Sequence, residues 1–204
     1  CIAADKRGKA VLKIKQDGIL AGIAVAEKIF RLQDPHVSFQ TFKKDGEVMK
    51  YGEVAFEVVT SIHTILSCER LVLNCMQRMS GIATLTNQYT QLLKGYHTRL
   101  LDTRKTTPNF RLLEKEAVKI GGGINHRFGL YDMIMLKDNH IDLAGGIEKA
   151  IHKTQEYLKS TGKVLKIEIE TRNLDEVREV LRVGGFHRIM LDNFSFEDLK
   201  KAVE

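Results

Sequence analysis

The feature of this sequence that most limits its fold is a regular alternation of short apolar segments with longer amphipathic ones after Thr98. The apolar segments have the length of strands and occupy residues 99–103, 132–136, 164–169 and 188–191. Helical patterns separate them at residues 112–119, 147–158 and 174–183. Strands that alternate with helices predict a domain built on a parallel sheet.

Each of the four predicted strands runs into charged residues at its carboxyl end. In chain order these residues are Arg104 with Lys105, then Lys137, Glu170 and Asp192. Parallel α/β folds bind their ligands at this edge of the sheet, and a (β/α) barrel does so on one face. The strand ends are therefore the first candidates for a functional site.

The third predicted strand alternates apolar and charged side chains. The apolar set is Leu165, Ile167 and Ile169, and the charged set is Lys166, Glu168 and Glu170. In a barrel the first set faces the helices while the second lines the interior. Carboxylates inside a barrel require a cation, a metal or water, which makes this face a functional candidate. The alternative is an edge strand with one solvated face.

The first sixty residues predict a small layer of strands. Strands are expected at residues 9–14 and 19–25, joined as a hairpin by the turn at 16–18, and further strands at 39–42 and 54–59. From Ser61 to Lys94 apolar residues recur every three to four positions, which predicts one or two long helices. We place an N-terminal domain at residues 1–96 and a second domain at 97–204.

Composition limits the class of protein. The chain has 204 residues, 43% of them hydrophobic, and a formal charge of +6, which fits one or two globular domains with an anionic partner. The longest apolar run, residues 19–26, is far shorter than the ~18 residues of a spanning helix, so no membrane insertion is expected. Three cysteines without a CxxC pair, Cys1, Cys68 and Cys75, favour a reducing, cytoplasmic location.

Residues 102–111 place three cations and three hydroxyls directly after the first strand of the second domain. The cations are Arg104, Lys105 and Arg111, and the hydroxyls belong to Thr103, Thr106 and Thr107. Arginine offers a planar fork for carboxylate or phosphate, lysine a compact charge and threonine a neutral donor. The segment therefore predicts an oxyanion-binding loop. A merely solvated basic loop is the alternative.

A second motif, residues 121–127, joins three glycines to Asn125, His126 and Arg127. It follows a predicted helix and lacks a Lys-Ser/Thr pair, so it matches neither the phosphate-binding P-loop nor the dinucleotide fingerprint. Three glycines let a backbone pass close to a ligand or fold sharply. A plain helix-terminating turn with a surface histidine and arginine is the alternative.

Lys137 and His140 form the third candidate group, at the end of the second strand of this domain. Lys137 is expected to bind an anion or to serve in acid/base chemistry, while His140 either joins it or only caps a helix. Lys105 and Lys137 stand among other charges, so both are expected to stay charged and not to form a Schiff base. Glu170 and Asp192 at neighbouring strand ends are candidate ligands of Mg²⁺.

Seven motifs in order strongly resemble the quinolinate phosphoribosyltransferase family, the carboxylating nicotinate-nucleotide pyrophosphorylases of NAD biosynthesis. They lie at residues 69–74, 80–84, 102–108, 121–127, 137–140, 167–170 and 191–193. The resemblance implies an N-terminal open-faced α/β sandwich followed by an α/β barrel. It also implies a pentosyltransferase that joins quinolinate to 5-phosphoribosyl 1-diphosphate with Mg²⁺, releasing diphosphate and CO₂ to give nicotinate mononucleotide.

The resemblance also implies residue roles. Arg104, Lys105, His126, Arg127 and Lys137 would hold the pyridine dicarboxylate and the phosphates. Glu170 and Asp192 would contact the ribose hydroxyls or Mg²⁺, and with Lys137 they are the candidate catalytic residues. Arg70 would enter the active site of a neighbouring subunit in a homodimer or hexamer.

Two departures from the family pattern stand out. Asn109 occupies a position where the family usually has glycine, and asparagine tolerates the positive φ that such a turn requires. The chain ends soon after the fourth strand, whereas a full barrel takes ~250 residues, so we expect a barrel truncated at the C-terminus.

Other functions fit parts of the pattern. A related phosphoribosyltransferase acting on another aromatic acid, such as nicotinate, is the nearest alternative. A nucleic-acid-binding module would explain the charge of +6, but no zinc-finger spacing, RNP-like aromatic string or sustained basic helix supports it, so no nucleic-acid partner is expected. An inactive assembly subunit would follow if the missing strands are truly absent.

Overall fold

The computed structural model describes residue 3 and residues 6–204 of the chain, so Cys1 lies outside the described residues. The chain divides into two compact units, the first ending at His126 and the second spanning Arg127–Glu204. The predicted domain boundary between residues 96 and 97 therefore falls inside the first unit. The reason is that the helix beginning at Arg111 packs against the long helix that precedes residue 96.

The first unit consists of strands followed by helices. Its elements are β1 (Arg7–Lys13), β2 (Gly18–Ile19), α1 (Ile23–Gln33), β3 (Ser38–Thr41), β4 (Val48–Met49), β5 (Val54–Ser61), α2 (Ile62–Leu92) and α3 (Arg111–Ile120). The main sheet is antiparallel with the order β1-β5-β3, and β2 pairs with β4 in a second, two-stranded sheet. The sheet and helix layers match the expected α/β sandwich.

The core of the first unit lies between the main sheet and the helices α1 and α2. Phe39 and Phe56 stack with ring centroids 4.5 Å apart, and Phe30 of α1 meets both rings. Val72 and Met76 of α2 close the same cluster. Ser61 is the N-cap of α2, and its side chain accepts a hydrogen bond from the Thr64 N–H in the first turn.

One predicted strand of this unit is wrong. Residues 19–25 contain only the end of β2 at Ile19, after which the chain turns at Gly22 with φ of +105° and enters α1. Strand β1 pairs with β5 and not with β2, so the predicted hairpin does not form. A short apolar run fits a strand and a buried helix equally, because periodicity does not separate them over so few residues.

In the second unit strands alternate with helices, as the sequence predicts. Its elements are β6 (Ile134–Leu136), α4 (Asp138–Ala144), α5 (Ile147–Thr161), β7 (Ile167–Thr171), α6 (Leu174–Val183), β8 (Arg188–Leu191) and α7 (Phe196–Val203). The strands form a parallel sheet in the order β6-β7-β8. The bounds of α6 and β8 agree with the prediction, whereas the sequence patterns missed α4 and α7.

Strand β7 is the central strand of the described parallel sheet, which rules out the edge-strand alternative. Ile167 and Ile169 pack into an apolar cluster with Ile151 of α5 and Val180 of α6, as the alternation predicted. Residues 99–103, by contrast, form no regular strand and make a single bridge between Leu101 and Ile124. Within the described residues, no helix is both long and apolar enough to span a bilayer.

Candidate active site

The loop that begins at Asp102 is fixed by a buried carboxylate. Asp102 accepts hydrogen bonds from Lys115 Nζ (2.5 Å), from the His126 backbone N–H (2.8 Å) and from Asn125 Nδ2 (2.6 Å). The side chains of Lys115 and Asp102 are only 2% and 7% exposed. These bonds join the predicted oxyanion loop to the glycine-histidine motif, although Asp102 and His126 lie 24 positions apart in the sequence.

A second buried carboxylate, Glu114, fixes the middle of the same loop. It accepts bonds from the Thr107 N–H (3.1 Å) and hydroxyl (2.8 Å) and from Arg78 Nε (2.9 Å) and Nη2 (2.7 Å). Burial raises the pKa of Glu114, but the bonds from Arg78 and Thr107 together outweigh it and hold this pKa below its ordinary value. Glu114 therefore links α2, α3 and the loop as a carboxylate.

Arg111, like Lys115 and Glu114, belongs to α3 and holds the loop in place. Its Nε donates to Thr106 Oγ1 at 3.1 Å and its Nη2 donates to the carbonyl oxygen of Arg104 at 3.3 Å. Asn109 lies in the turn between these groups with φ of +61°, as the residue type predicted. The structure thus places Arg111, like the hydroxyls of Thr106 and Thr107, in contacts that shape the loop.

Arg104 and Lys105 are the two cations of the loop that is fixed by the bonds to Asp102, Glu114 and Arg111. Arg104 is half-buried, and its Nε is a buried donor without a hydrogen-bond partner among residues 3 and 6–204. Lys105 is exposed, with its backbone N–H bonded to Thr103 Oγ1 at 3.1 Å. A fixed loop with an unsatisfied guanidinium N–H and an exposed ammonium is suited to binding an anion.

The three glycines that follow α3 serve a sharp turn packed against α2. A Cβ at Gly121 would overlap the Ala83 carbonyl oxygen and lie 2.7 Å from Thr86 Cβ, and Gly122 has φ of +93°. The Gly121 carbonyl also accepts a bond from Thr90 Oγ1 at 3.3 Å. Of the two uses that the sequence left open for these glycines, the structure shows the sharp fold.

His126 and Arg127 follow this turn and are half-buried. The peptide groups of His126 are held on both sides, because its N–H donates to Asp102 and its carbonyl oxygen accepts from Lys115 Nζ at 3.3 Å. His126 is the last residue of the first unit and Arg127 opens the second. The bonds to Asp102 and Lys115 therefore fix the backbone at His126, and with it the Cα position from which the imidazole side chain extends.

In the second unit, the charged face of β7 meets cations from both neighbouring strands. Lys137, directly after β6, lies 3.5 Å from Glu170, with their side chains 45% and 11% exposed. Arg188 of β8 lies 3.1 Å from Glu168, whose side chain is 1% exposed. Both carboxylates predicted to line an interior are therefore buried and paired with cations.

His140 and Asp192 occupy different environments near these pairs. His140 Nδ1 accepts a bond from the Lys137 backbone N–H at 3.1 Å, which favours the helix-capping interpretation. Asp192 is half-buried, its N–H donates to the Thr171 carbonyl oxygen at 3.0 Å, and its carboxylate accepts from Asn193 Nδ2 at 2.8 Å. Backbone bonding thus places Asp192 just beyond the carboxyl end of the sheet.

Glu170 and Asp192 are the residues that the sequence predicts as ligands of Mg²⁺. Glu170 pairs in register with Met190, so Asp192 lies two residues further along the chain, just after the adjacent strand β8. In the part of the chain that the structure describes, no three His, Cys, Asp or Glu side chains cluster as metal ligands. Two carboxylates suit a Mg²⁺ ion that takes its remaining ligands from water and substrate phosphate, and they do not suit an all-protein cage.

Arg70 lies on the exposed side of α2. Its role in a neighbouring subunit stays a prediction. The motif patterns missed the residues that support the site, which are Arg78, Glu114, Lys115, Asn125 and Arg188. Only Asn125 stood inside a recognised motif, and the others carried no signal beyond their charge.

The fold and these side chains define a class of protein: an N-terminal α/β sandwich joined to a parallel α/β unit with basic and acidic groups at its strand ends. Family models give the particular family. The model described as "Quinolinate phosphoribosyl transferase, N-terminal domain" matches residues 1–80, and that of the C-terminal domain matches residues 82–204. The chain belongs to the quinolinate phosphoribosyltransferase family.

Individual relatives agree with this assignment. The chain is 46% identical over 194 residues to nicotinate-nucleotide pyrophosphorylase (carboxylating), chloroplastic, of Arabidopsis thaliana, covering 93% of this chain and 55% of that protein. It is 45% identical over 197 residues to the mitochondrial decarboxylating quinolinate phosphoribosyltransferase 2 of Nicotiana glauca, covering 94% and 56%. The chain thus spans about half the length of these relatives.

Solved structures confirm the predicted fold class. NadC from Streptococcus pyogenes superposes with a TM-score of 0.91 at 41% identity, covering 99% of this chain and 70% of that one. The nicotinate-nucleotide pyrophosphorylase from Francisella tularensis gives a TM-score of 0.90 at 38% identity, covering 98% and 70%. The mixed α/β architecture expected from the sequence is therefore the architecture of this family.

Proposed function

We propose that this chain is part of an enzyme that transfers the phosphoribosyl group of 5-phosphoribosyl 1-diphosphate to quinolinate. The products are nicotinate mononucleotide, diphosphate and CO₂. Family membership supports the reaction, and the names of the relatives support the substrate. The observation that carries the proposal is the fixed loop that presents Arg104 and Lys105 on the same buried network as His126.

The residue types fit the charges of these substrates. Quinolinate brings two carboxylates, and the other substrate brings a phosphate and a diphosphate. We assign the binding of these anions to Arg104, Lys105, His126, Arg127 and Lys137. Charge-assisted hydrogen bonds from pre-oriented donors bind such groups strongly and orient them for reaction.

The acidic residues are expected to stabilise the part of the substrate that becomes positively charged during the reaction. As diphosphate leaves, positive charge develops on the ribose carbon, and a nearby carboxylate stabilises it. We assign this role and contacts with the ribose hydroxyls to Glu170 and Asp192. Mg²⁺, when bound through these carboxylates and the phosphates, would neutralise charge on the leaving diphosphate.

Decarboxylation follows from the electronic structure of the product ring. Once the pyridine nitrogen carries the ribose, the positively charged ring stabilises the electron pair left on C2 when the 2-carboxylate departs as CO₂. A proton from solvent then bonds to C2 and gives the product. The protein contributes orientation and a surrounding charge for this step.

The proposal includes assembly into a homodimer or hexamer in which Arg70 enters the neighbouring active site. Exposed apolar side chains on the same helix, Leu66, Leu85, Tyr89 and Leu92, support an interface along α2. Mixing inactive Arg70→Ala and Lys137→Ala proteins tests it. If Arg70 acts across an interface, mixed assemblies regain product formation, and no recovery after subunit exchange would contradict the arrangement.

The central test is formation of nicotinate mononucleotide by the protein as its gene encodes it, with Lys137→Ala and the exposed-lysine control Lys159→Ala alongside. We expect the Lys137 variant to lose at least about 100-fold in kcat/KM, because removing a transition-state electrostatic contact has that effect. The control should match wild type. Absence of product from wild type, with the Lys137 variant indistinguishable from it, would refute the proposal.

Substrate competition separates quinolinate from other aromatic acids. A site built for two carboxylates should bind nicotinate, which has one, much more weakly. Equal inhibition by nicotinate and quinolinate analogues would favour a related phosphoribosyltransferase of different specificity.

Metal dependence and location are tested separately. Chelation by EDTA should abolish product formation and added Mg²⁺ should restore it, whereas full activity in EDTA would remove Mg²⁺ from the proposal.

We propose a cytoplasmic location because Cys68 and Cys75 are free thiols, which a reducing compartment preserves. Fractionation of cells tests this, since plant relatives carry the labels chloroplastic and mitochondrial.

A further inference from the structure

The buried pair Lys115–Asp102 bonds to the segment that carries His126 without belonging to the predicted substrate-binding residues. A lysine that is 2% exposed and bonded to a 7% exposed aspartate is unusual, because both charges are removed from water. Such a pair is weak evidence for stability, since well-packed apolar residues often replace it without loss. Its presence therefore calls for a role other than holding the fold together.

The contacts of the pair indicate that role. Asp102 accepts from the His126 N–H at 2.8 Å, and Lys115 Nζ donates to the His126 carbonyl oxygen at 3.3 Å. The two side chains thus hold the backbone of His126 on both sides. Asp102 also stands two and three residues before Arg104 and Lys105, so one ion pair connects both anion-binding segments.

Asn125 completes the connection. Its Nδ2 donates to Asp102 at 2.6 Å and to the Lys115 carbonyl oxygen at 2.8 Å. The three bonds that Asp102 accepts here therefore come from α3 and from the segment leading to His126. Displacing the pair would move Arg104 and Lys105 relative to His126, and a shift of about 1 Å between binding groups is enough to weaken catalysis strongly.

We propose that Lys115 and Asp102 are a positioning pair that sets the spacing between the Arg104–Lys105 loop and His126, and thereby the affinity for the dicarboxylate substrate. The inference rests on the proposed function. Neither residue touches substrate in this assignment. A pair that served stability alone would leave substrate affinity unchanged once the fold was preserved.

The test is the double variant Asp102→Asn/Lys115→Met, made in the protein as its gene encodes it. It removes both charges with little change in volume, so no unpaired charge stays buried. We expect the KM for quinolinate to rise at least tenfold, with an unfolding midpoint close to that of wild type. A double variant that folds and keeps the wild-type KM and kcat would overturn the proposal.

A matched control lies on the same helix. Lys119 and Glu116 form an exposed ion pair at 2.8 Å, with side chains 53% and 49% exposed. The variant Glu116→Gln/Lys119→Met removes the same two charges from α3 at the surface. It should keep the wild-type KM, and a tenfold rise there would show that charge loss on α3, and not the buried pair, controls affinity.

A measurement on the wild-type protein covers the case in which the double variant does not fold. The His126 amide proton, bonded to Asp102, should exchange with solvent at least about 100-fold more slowly than the amide of Gly162, an exposed turn residue. Equal exchange rates would show that the backbone at His126 is not held, which overturns the proposal.

Failure of the proposed function is distinguishable from failure of this inference. If wild type forms no nicotinate mononucleotide, the function is wrong, and amide exchange at His126 still reports whether the pair holds the backbone. If wild type forms product and the folded double variant binds quinolinate equally well, only the positioning role is wrong.

Discussion

Replacing Gly121 with alanine should separate α2 from the turn that leads to the active-site segment. Gly121 has φ of −73°, which alanine adopts freely, so the substitution introduces no backbone strain. Its effect comes only from the added methyl group, which would overlap the Ala83 carbonyl oxygen and lie 2.7 Å from Thr86 Cβ and 3.0 Å from Ala83 Cα. Two of these atoms belong to the helix backbone, which cannot turn aside as a side chain does.

The expected magnitude follows from these contacts. Overpacking a well-packed site lowers the free energy of unfolding by about 1–3 kcal/mol, and clashes with backbone place Gly121→Ala at the upper end, about 3 kcal/mol. Gly81→Ala is the matched control on α2, because beyond its chain neighbours and the nearby backbone of its own helix no heavy atom lies within 4 Å of the added Cβ. That change should raise the free energy of unfolding by about 0.5–1 kcal/mol, the helix preference of alanine over glycine.

Urea denaturation followed by circular dichroism measures both variants against wild type. The Gly121 variant should also show a raised KM for quinolinate, since the turn leads directly to Asn125 and His126. A Gly121→Ala protein within about 0.5 kcal/mol of wild type, below any overpacking effect, would refute the reasoning. It would show that α2 moves aside freely and that the glycine is not required by packing.

Three further outcomes follow from the described contacts. Glu114→Gln should lower the free energy of unfolding by about 2 kcal/mol at pH 7 through weakened charged hydrogen bonds. Because the folded pKa of Glu114 is lowered, its contribution is fully present above the ordinary value of about 4.3 and is lost only as the pH falls through the lower, folded pKa, so the denaturation curves of variant and wild type should converge over that acidic range. Asn109→Val should cost about 1–2 kcal/mol in thermal unfolding, since a β-branched residue resists φ of +61° while Asn109→Gly does not. Burial raises the pKa of the Cys68 and Cys75 thiols, so peptide mapping after iodoacetamide at pH 8 should find both unmodified in the folded protein and modified in urea.

The second unit was predictable because its signals are local. Strand β7 alternates side chains over a few residues, and Asn173 and Gly184 bound α6 in the way that helix ends require. The cations and carboxylates at the strand ends were found for the same reason. Their pairing, Lys137 with Glu170, follows from neighbouring parallel strands in register.

The supporting residues of the first unit were not predictable because their roles depend on distant partners. On α3 the hydrophobic pattern suggests that Leu112 is buried and Lys115 exposed, yet Leu112 is 67% exposed and Lys115 is buried. The position of Asp102, thirteen residues earlier, explains why Lys115 is buried. Helix α1 was missed because the apolar run at residues 19–25 fits a strand as well as a buried helix. The turn at Gly22, where the chain leaves β2 and enters α1, is not evident from that run.

The two ion pairs along β7 also determine how the parallel sheet aligns. Successive residues of a strand point to opposite faces, so a slip of one position would turn Glu168 and Glu170 toward the helices and Ile167 and Ile169 away from them. Arg188 and Lys137 stand opposite the two carboxylates only in the observed alignment. Misaligned sheets would bury two uncompensated charges, so the same carboxylates that make the site acidic also act against misfolding of this unit.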